Sequence, residues 1–406
     1  MKKSIIFMSA FVLLSGWVIR DNVFAYSPAD LYDQVWRLVN TKFVDQTNNS
    51  QNWSKWRHKY DKEIKTNEDA YVAINTMIAS LNDPYTKFLN PKEFADETSS
   101  INGSLKGIGI QIAVKDGKLM VIAPIEDTPA EKAGLLSDDE IIEIDGESTK
   151  GITVDKAAEK IRGEEGTEVT IVIKRKDSPL KTYKIKRAEI EIKSVSQRVP
   201  LEMEIPENIS YIRLSSFISR NASKEFAEIL NNDKNKKGII VDLRSNPGGL
   251  LTNAIVISDM FLSGNTIVST VDRDGYKETQ RASKMTYTKK PVVVLINKGS
   301  ASASEIFSGA MKDNHRAIII GEQSFGKGLV QEINKLPQDA GVNITIQKYL
   351  TPDGTDINKK GISPDIEVKL TEDNIKNKDD VQLKKAVEIL TKQINGETII
   401  LGGNIF

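Results

Sequence analysis

Three continuous apolar runs in the second half of the chain constrain its fold more than any other feature. They are GIIVDLR (238–244), PVVVLIN (291–297) and RAIIIGE (316–322), and a helical segment follows each of the first two. A strand without polar alternation is buried on both faces, and such strands joined through helices form a layered, largely parallel sheet. From about residue 207 we therefore predict an α/β layer, in which ligands gather beyond the carboxyl ends of the strands.

Two regions with other hydrophobic patterns precede this layer. Residues 28–90 have apolar side chains at helical spacing, whereas residues 100–187 read as short alternating strands with glycine turns and one short helix. We interpret the aromatic residues Trp53, Trp56 and Tyr60 as a packing seam, the alternative being an exposed dimer surface. The predicted divisions are an export signal (1–25), an N-terminal helical region (26–95), a strand-rich domain (96–187), the layered core (188–378) and a C-terminal helical segment (379–406).

The composition excludes several kinds of function and site. The chain has 406 residues, and its 56 basic residues balance 56 acidic ones, so it lacks the positive charge typical of nucleic-acid-binding proteins. It contains no cysteine, which excludes disulfides, thiolate metal sites and a cysteine nucleophile. Because the two histidines are far apart and there is no HExxH motif, we predict neither a metal site nor a cofactor.

The N-terminus predicts export. Lys2 and Lys3 precede an apolar run from Ile5 to Ile19, and the segment ends in NVFA at Ala25. A positive start, an apolar core of roughly 15 residues and a small-residue end are typical of a secretory signal peptide. The alternative is a retained anchor, although the run is shorter than the ~20 residues that a membrane span prefers. Either way, we predict an exported protein, extracellular or in the cell envelope, whose only membrane contact is this segment.

The segment KGSASASEIF (298–307) follows the second apolar strand and contains three serines. Ser302 and Glu305 form the S-x-x-E pattern of a capping box at a helix start. Capping alone explains Ser302, but the position also suits a nucleophile, because N–H groups at a helix N-terminus stabilise charge developing on a carbonyl oxygen. The two interpretations are compatible. We interpret Ser300 and Ser304 as small neighbours that let the turn close.

A serine nucleophile needs a base, and histidine is scarce. His58 lies among the N-terminal helices and His315 follows a helix, so neither is in a glycine-rich loop beyond a strand. Lys327 is in such a loop, between two glycines of EQSFGKGLVQ (322–331). Burial lowers a lysine pKa from its usual value of about 10.4, because it disfavours the charged form. The alternative is an exposed turn lysine, and the GKG pattern alone does not separate the two.

Together, GSASASEIFSGAMKD and GEQSFGKGLVQ resemble the carboxyl-terminal processing peptidase family, exported serine proteases with a Ser-Lys dyad. The resemblance implies that Ser302 is the nucleophile and that Lys327, 25 residues later, is the general base. It also implies that Gln331 holds the lysine amine and that Asp313 has a supporting role. The sequence leaves open whether residues 328–331 form a strand or a helix. An aspartate in the last turn of a helix opposes the helix dipole, so we expect Asp313 to have a partner.

The segment DLRSNPGGLL, which includes the end of the first apolar strand, also matches this family. Its glycines leave backbone N–H groups unshielded at a turn into a helix. We predict an oxyanion hole in which the N–H of Gly248 or Gly249 joins that of Ala303, although a plain turn would also explain these glycines. Segments 354–368 and 380–390 resemble the closing part of the family, so the resemblance covers nearly all of the chain after its N-terminal segment.

The strand-rich domain resembles a PDZ domain inserted within this family. LKGIGIQI matches the carboxylate-binding loop, and DTPAEKAGL with DEIIEIDG matches the central signature. In such a domain successive N–H groups bind a terminal carboxylate and the adjoining strand pairs with the peptide. Asp138 and Asp139 stand where the family has Gly-Asp, a departure that changes a turn residue rather than the groove. The implied ligand-binding residues are Gly107, Ile108, Gly109 and Ile110.

Arg162, in KIRGEEG after the helix of this domain, lies where the family has an arginine that links the ligand-bound domain to the protease. The resemblance implies a regulatory sensor, in which ligand binding moves the domain and completes the active site. The alternative is a cation that simply stabilises a helix C-terminus.

We therefore predict an α+β multidomain fold with an α/β layered serine-protease core, an inserted PDZ-like domain and an N-terminal helical region. The predicted function is an exported serine endopeptidase acting on proteins or peptides selected partly by accessible C-termini, with no nucleic acid as partner. A homodimer could form through the N-terminal helices and the C-terminal helix. The alternatives are a non-catalytic PDZ scaffold, which predicts a damaged dyad, and a small-molecule Ser-Lys amidase, which would not need a peptide-binding domain.

Overall fold

The computed structural model describes residues 26–405 except 116, 126, 127, 137, 177, 192, 200–202, 372, 375, 376 and 402. The predicted export signal, residues 1–25, lies outside the described residues. Within the described part of the chain, no helix combines the length and apolarity needed to span a bilayer.

The N-terminal region packs around one aromatic cluster. Trp53 and Trp56 are buried in it, and the indole N–H of Trp36 donates to the Trp53 carbonyl at 3.0 Å. The packing interpretation is therefore confirmed for both tryptophans. Ser27 and Thr66 cap the first two helices through capping boxes with an aspartate three residues later. The elements are α1 (Pro28–Lys42), α2 (Asn67–Ala79), β1 (Lys87–Leu89) and α3 (Pro91–Ile101).

Helix α3 crosses the boundary that we predicted between residues 95 and 96. Asn90 caps it with Glu93, and Pro91 occupies its first turn. No side chain of α3 is fully buried, so it lacks the apolar stripe by which a helix is usually found in a sequence. This helix joins the N-terminal region to the strand-rich domain.

The strand-rich domain is inserted through a two-stranded ribbon, β2 with β9, whose strands run antiparallel side by side. Its main sheet is antiparallel with strand order β3-β4-β5-β7-β8, and β6 pairs with β5. Strands β7 and β8 form a hairpin. The elements are β2 (Ser104–Gly107), β3 (Ile110–Lys115), β4 (Lys118–Pro124), α4 (Pro129–Ala133), β5 (Glu140–Ile144), β6 (Glu147–Ser148), α5 (Val154–Ile161), β7 (Glu168–Lys174), β8 (Lys181–Lys186) and β9 (Ala188–Glu191).

The core contains two sheets. Its elements are β10 (Val195–Ser196), β11 (Ile209–Leu214), α6 (Ala222–Asn232), β12 (Gly238–Asp242), α7 (Leu251–Asp259), β13 (Thr266–Asp272), β14 (Lys277–Arg281), β15 (Val292–Ile296), α8 (Ala303–Asp313), β16 (Ile318–Gly321), β17 (Leu329–Lys335), β18 (Gly341–Leu350), β19 (Ile366–Glu367) and α9 (Val381–Ile394), followed by a short hairpin of β20 (Ile400–Leu401) and β21 (Asn404–Ile405).

The three apolar runs form β12, β15 and β16, which are adjacent, parallel and fully buried. Sheet order is β10-β11-β12-β15-β16-β19, with only β10 antiparallel to its neighbour. Helices α6, α7 and α8 pack on one face, and α9 packs on the other. The predicted α/β layer is confirmed. Because α9 buries its apolar face against this sheet, it does not need a second copy of the chain to cover that face.

The second sheet was not predicted from the sequence. Strands β1 and β13 pair with different parts of one edge of β18, and β14 pairs with β13. Strand β17 pairs with the opposite edge of β18. Residues 329–331 therefore belong to a strand, which settles the question left open for Gln331. Strand β1 comes from the N-terminal region and pairs with residues 341–343 of β18. This pairing places the loop before β1 directly beside the segment that carries Lys327.

Candidate active site

Ser302 is the N-cap of α8, as predicted, and its backbone conformation is unusual. Its φ and ψ angles are +55° and −113°, outside the regions that residues other than glycine normally adopt. Such a conformation persists only where the surroundings hold it, and it is concentrated at functional sites. The turn therefore presents the Ser302 side chain to a cleft at the carboxyl end of β15.

The three serines of this turn differ in their contacts. The Ser300 hydroxyl donates to the Leu243 carbonyl at 2.8 Å, and the Ser304 hydroxyl donates to the Asn246 carbonyl at 2.9 Å; both side chains are fully buried. They connect the serine turn to the loop after β12. Ser302 is half-buried and lines the cleft. The contacts thus separate one accessible serine from two that hold the turn.

Glu305 joins the serine turn to the lysine loop. Its fully buried carboxylate accepts from the N–H groups of Ser302, at 2.8 Å, and of Lys327, at 2.9 Å. It also accepts from the Gly326 N–H at 2.7 Å and the Ser324 hydroxyl at 2.5 Å. Hydrogen bonds to an ionised acceptor are among the strongest in proteins. The sequence indicated only the capping role of Glu305, because its other donors lie about twenty residues away in the chain.

Tyr349 makes a second connection between the same two segments. Its hydroxyl donates to the Lys327 carbonyl at 2.6 Å and lies 3.2 Å from the Ser302 carbonyl oxygen. Burial raises the pKa of Tyr349 well above its usual value, so the hydroxyl keeps its proton. No sequence motif pointed to this residue, which is carried by β18.

Ser302 and Lys327 line one cleft of about 600 Å³. Burial lowers the pKa of the Lys327 amine, and the positive charge of Lys87 lowers it further, against Asp83, Glu97 and Glu305, which raise it. A lowered pKa increases the neutral fraction that can accept a proton. Lys327 is half-buried, which agrees with the buried amine rather than with an exposed turn lysine.

The glycines after β12 pack against the serine turn. At Gly248, φ is +96° and an added Cβ would lie 2.8 Å from the Ala303 nitrogen, so only glycine fits. The Gly248 N–H donates to Asn246 Oδ1 at 2.9 Å and is thus already paired. Among the described residues, the N–H groups of Gly249 and Ala303 have no protein acceptor. Of the two predicted alternatives, the geometry favours Gly249.

Gln331 is placed differently from the expectation, whereas Asp313 has a partner, as expected. Gln331 lines the cleft and its side-chain amide donates to Thr345 Oγ1 at 3.5 Å; among the described residues, no hydrogen bond joins its side chain to the Lys327 amine. Asp313 ends α8, roughly 15 Å along the helix from Ser302. Its expected partner is the Asp353 N–H, at 3.1 Å, and burial raises its pKa.

Neither histidine reaches the cleft. His58 is exposed on the N-terminal region and lies 3.1 Å from Asp61. His315 follows the far end of α8 and lines a separate cavity. The residues around Ser302 thus offer a lysine rather than a histidine as the group that could accept its proton.

A buried charge network, which the sequence did not indicate, lies beneath the glycine loop. Asp242 ends β12 and binds Arg244 at 2.6 Å and Arg213 at 2.8 Å. Burial raises the pKa of Asp242, but the two guanidinium groups outweigh burial and hold it below its usual value. Arg244 also donates to Asp380, the N-cap of α9, at 2.8 Å. The glycine loop is thereby tied to the C-terminal helix.

The strand-rich domain has its own groove, of about 230 Å³. The segment 107–110 forms one side of it, and α5 with Arg162 forms the other. The departure at Asp138 and Asp139 lies in a turn, where Asp138 has a φ of +65° and Asp139 binds Arg175 at 2.6 Å. The groove residues named from the sequence, Gly107, Ile108, Gly109 and Ile110, all line the groove.

Comparison with known proteins matches the core and the strand-rich domain to two separate families. Residues 208–368 match the model of Peptidase family S41, and residues 120–175 match a PDZ domain. The chain is 40% identical over 367 residues to the Carboxyl-terminal-processing protease of Synechocystis sp., covering 88% of this chain and 86% of the relative. The protein of the same name from Picosynechococcus sp. is 43% identical over 343 residues, with 83% and 82% covered. The solved structure of the photosystem II D1 C-terminal processing protease matches with a TM-score of 0.57 and 31% identity, covering 90% of this chain and 97% of that one.

Proposed function

Because this chain belongs to the carboxyl-terminal processing proteases, serine peptidases of family S41 with a PDZ domain, we propose that Ser302 and Lys327 are its nucleophile and general base. The family that the sequence motifs indicated is thus confirmed. The observation that carries the proposed dyad is that Glu305 and Tyr349 each bridge the Ser302 and Lys327 segments at one shared cleft. These two bridges hold the backbone segments that carry Ser302 and Lys327 next to each other.

The reaction divides into acylation and hydrolysis. The Ser302 oxygen attacks the scissile carbonyl carbon while the neutral Lys327 amine accepts the hydroxyl proton. The tetrahedral oxyanion accepts hydrogen bonds from the N–H groups of Ala303 and Gly249. As the C–N bond breaks, Lys327 returns the proton to the leaving amine, which leaves an acyl-Ser302 ester. Water then attacks the ester, its proton passes through Lys327 to the Ser302 oxygen, and the acid product departs.

The test of the dyad uses three variants and a serine-directed fluorophosphonate probe. Ser302→Ala and Lys327→Ala should each lower kcat by at least about 1,000-fold, since dyad members act as a unit. Lys359→Ala, an exposed lysine near the same loop, is the matched control and should keep its activity. Probe labelling should disappear in Ser302→Ala. Full proteolysis by Lys327→Ala would rule out the proposed base.

The PDZ groove supports selection of substrates by their C-termini. The protein is a PDZ-containing peptidase, so protein substrates follow from the family. The groove walls are mainly aliphatic, including Ile112, Val154 and Ile161, which suits an apolar last residue. A set of substrates that differ only in their last three residues should differ in kcat/KM, with an apolar last residue best. Equal rates for all of them would contradict this selection.

Arg162 is proposed as the regulatory contact between the PDZ groove and the rest of the enzyme. Its Nη1 lies 3.4 Å from Asp96 on α3, and its side chain also lines the groove. A peptide carboxylate in the groove would compete with Asp96 for this guanidinium. Arg162→Gln should therefore slow turnover of protein substrates. Unchanged turnover would leave Arg162 as only a cation at a helix C-terminus.

Export and dimer formation are also proposals. Export rests on residues 1–25 alone; relatives from Arabidopsis thaliana and Tetradesmus obliquus are named as chloroplastic. N-terminal sequencing of the mature protein should begin after Ala25, whereas an intact N-terminus in the membrane fraction would indicate an anchor. Sedimentation equilibrium would test the homodimer, which a single monomer mass would refute.

A further inference from the structure

A loop of the N-terminal region lies directly against the proposed base. Lys327 Nζ is 4.7 Å from the centroid of the Tyr85 ring, and Tyr85 lines the same cleft as Ser302. This distance is within the range in which an ammonium group interacts favourably with an aromatic face. None of the sequence motifs of the catalytic core includes Tyr85.

The loop that carries Tyr85 is held firmly. Asp83 accepts from the Tyr85 N–H at 3.2 Å and from the Thr86 hydroxyl at 2.6 Å. The Thr345 hydroxyl of β18 donates to the same carboxylate at 2.7 Å, and the Thr345 N–H donates back to the Thr86 hydroxyl at 3.1 Å. These bonds fix the loop that carries Tyr85 relative to β18, which also carries Tyr349.

The charged groups around the amine come from several elements. Lys87 on β1 opposes the ammonium form, while Asp83, Glu97 on α3 and Glu305 on α8 favour it. Lys87 itself lies 3.4 Å from Glu97, which offsets part of its charge. In addition to these charged groups, the face of the Tyr85 ring lies beside the amine and attracts its charged form.

We propose that Tyr85 is a positioning residue for the Lys327 amine, holding its ammonium form against the ring face after the proton has left Ser302. The proposal rests on the proposed base role of Lys327. Because the ring attracts the cation through its π face, the effect does not require the Tyr85 hydroxyl. Phenylalanine should therefore replace tyrosine, whereas an aliphatic side chain of similar size should not.

The first experiment measures the titration of Lys327 without catalysis. Lysine Cε is labelled with ¹³C in the Ser302→Ala chain, and its resonance is assigned with Lys327→Arg. Tyr85→Leu should raise the ratio of neutral to charged amine at a given pH by roughly two- to fivefold, the loss of an ordinary cation–π contact. Tyr85→Phe should leave the ratio unchanged. Phe325→Leu removes an exposed aromatic residue of the loop that carries Lys327 and serves as the matched control.

The second experiment measures kcat/KM against pH in chains with Ser302 intact. In Tyr85→Leu the rise of kcat/KM with pH should begin at lower pH, with a lower kcat on the plateau and KM changed by less than about twofold, because the amine is less well positioned. A purely structural role would lower activity without moving the profile. If Tyr85→Leu unfolds, Tyr85→Met provides a flexible apolar side chain of similar size.

The two proposals fail separately. If Lys327→Ala remains active, the base role is wrong, whatever the titration shows. If Lys327→Ala is inactive but Tyr85→Leu and wild type titrate identically, the positioning role of Tyr85 is wrong and the dyad stands.

Discussion

The serine and lysine segments and the PDZ junction are held by opposite kinds of contact. Glu305, fully buried, accepts four hydrogen bonds, including one from the backbone of each dyad residue. At the PDZ junction, Arg162 with Asp96 and Lys92 with Glu159 form ion pairs whose side chains are 40–59% exposed. Exposed pairs contribute about 0–1 kcal/mol, whereas unpairing a buried charged group costs more. The contrast is between a cleft whose walls are held by buried hydrogen bonds and a junction whose ion pairs contribute little.

Of the substitutions that test this contrast, Glu305→Gln should have the largest effect on stability and activity. The amide loses the charge and turns an NH₂ group toward N–H donors, so we expect about 2–4 kcal/mol of destabilisation. We also expect kcat to fall by about 100-fold, since the two dyad segments shift relative to each other. Urea unfolding and single-turnover kinetics measure the two effects. Glu322→Gln, in the lysine segment, is the control, and a Glu305→Gln enzyme with normal kcat would contradict the bridging role.

Tyr349→Phe removes one bridge and leaves the ring in place. The lost hydrogen bond to the Lys327 carbonyl should cost about 1–2 kcal/mol of stability. We expect kcat to fall roughly tenfold with KM nearly unchanged, because the Lys327 backbone loses its fixed position. Thermal unfolding and steady-state kinetics provide the readouts. An equal loss of kcat in Tyr183→Phe, a tyrosine of the PDZ domain, would show that the effect is not local.

The pH profile should respond to Lys87. If Lys327 is the base, as we propose, activity requires its neutral amine, so kcat/KM should rise with pH through the lowered pKa of that amine. The Lys87 charge lowers this pKa; Lys87→Gln removes the charge, raises the pKa and therefore shifts the rise to higher pH. Lys348→Gln removes the charge of an exposed lysine of β18 and should leave the profile in place. A Lys87→Gln profile at unchanged or lower pH would contradict the electrostatic assignment.

Asp96→Asn, at the PDZ junction, should have the smallest effect of these substitutions. If a peptide carboxylate competes with Asp96 for Arg162, removing that charge should tighten peptide binding by up to roughly fivefold with little change in stability. Fluorescence anisotropy with a peptide ending in an apolar residue measures the affinity. Glu164→Gln, whose exposed partner is Lys106, is the matched control. Weaker binding by Asp96→Asn would oppose the competition.

The limits of sequence reasoning follow from where contacts lie along the chain. The parallel sheet and the S-x-x-E cap are local patterns, so strands β12, β15 and β16 and the N-cap position of Ser302 could be found. Tyr85 and Tyr349 act from outside the catalytic motifs, and nothing in their neighbouring residues marks them. Helix α3 was missed because it buries no side chain fully. The second sheet pairs strands whose separation in sequence hides their register.

The pairing of β1 with β18 also has a consequence for how the enzyme matures. It joins residues 87–89 to residues 341–343, a contact that can close only after most of the chain has been synthesised. Such distant pairings form late, because the intervening loop must first be ordered. The wall of the cleft that carries Tyr85 therefore depends on a pairing between distant parts of the chain. A chain that ends before residue 341 would lack this pairing and the support that it gives to that wall.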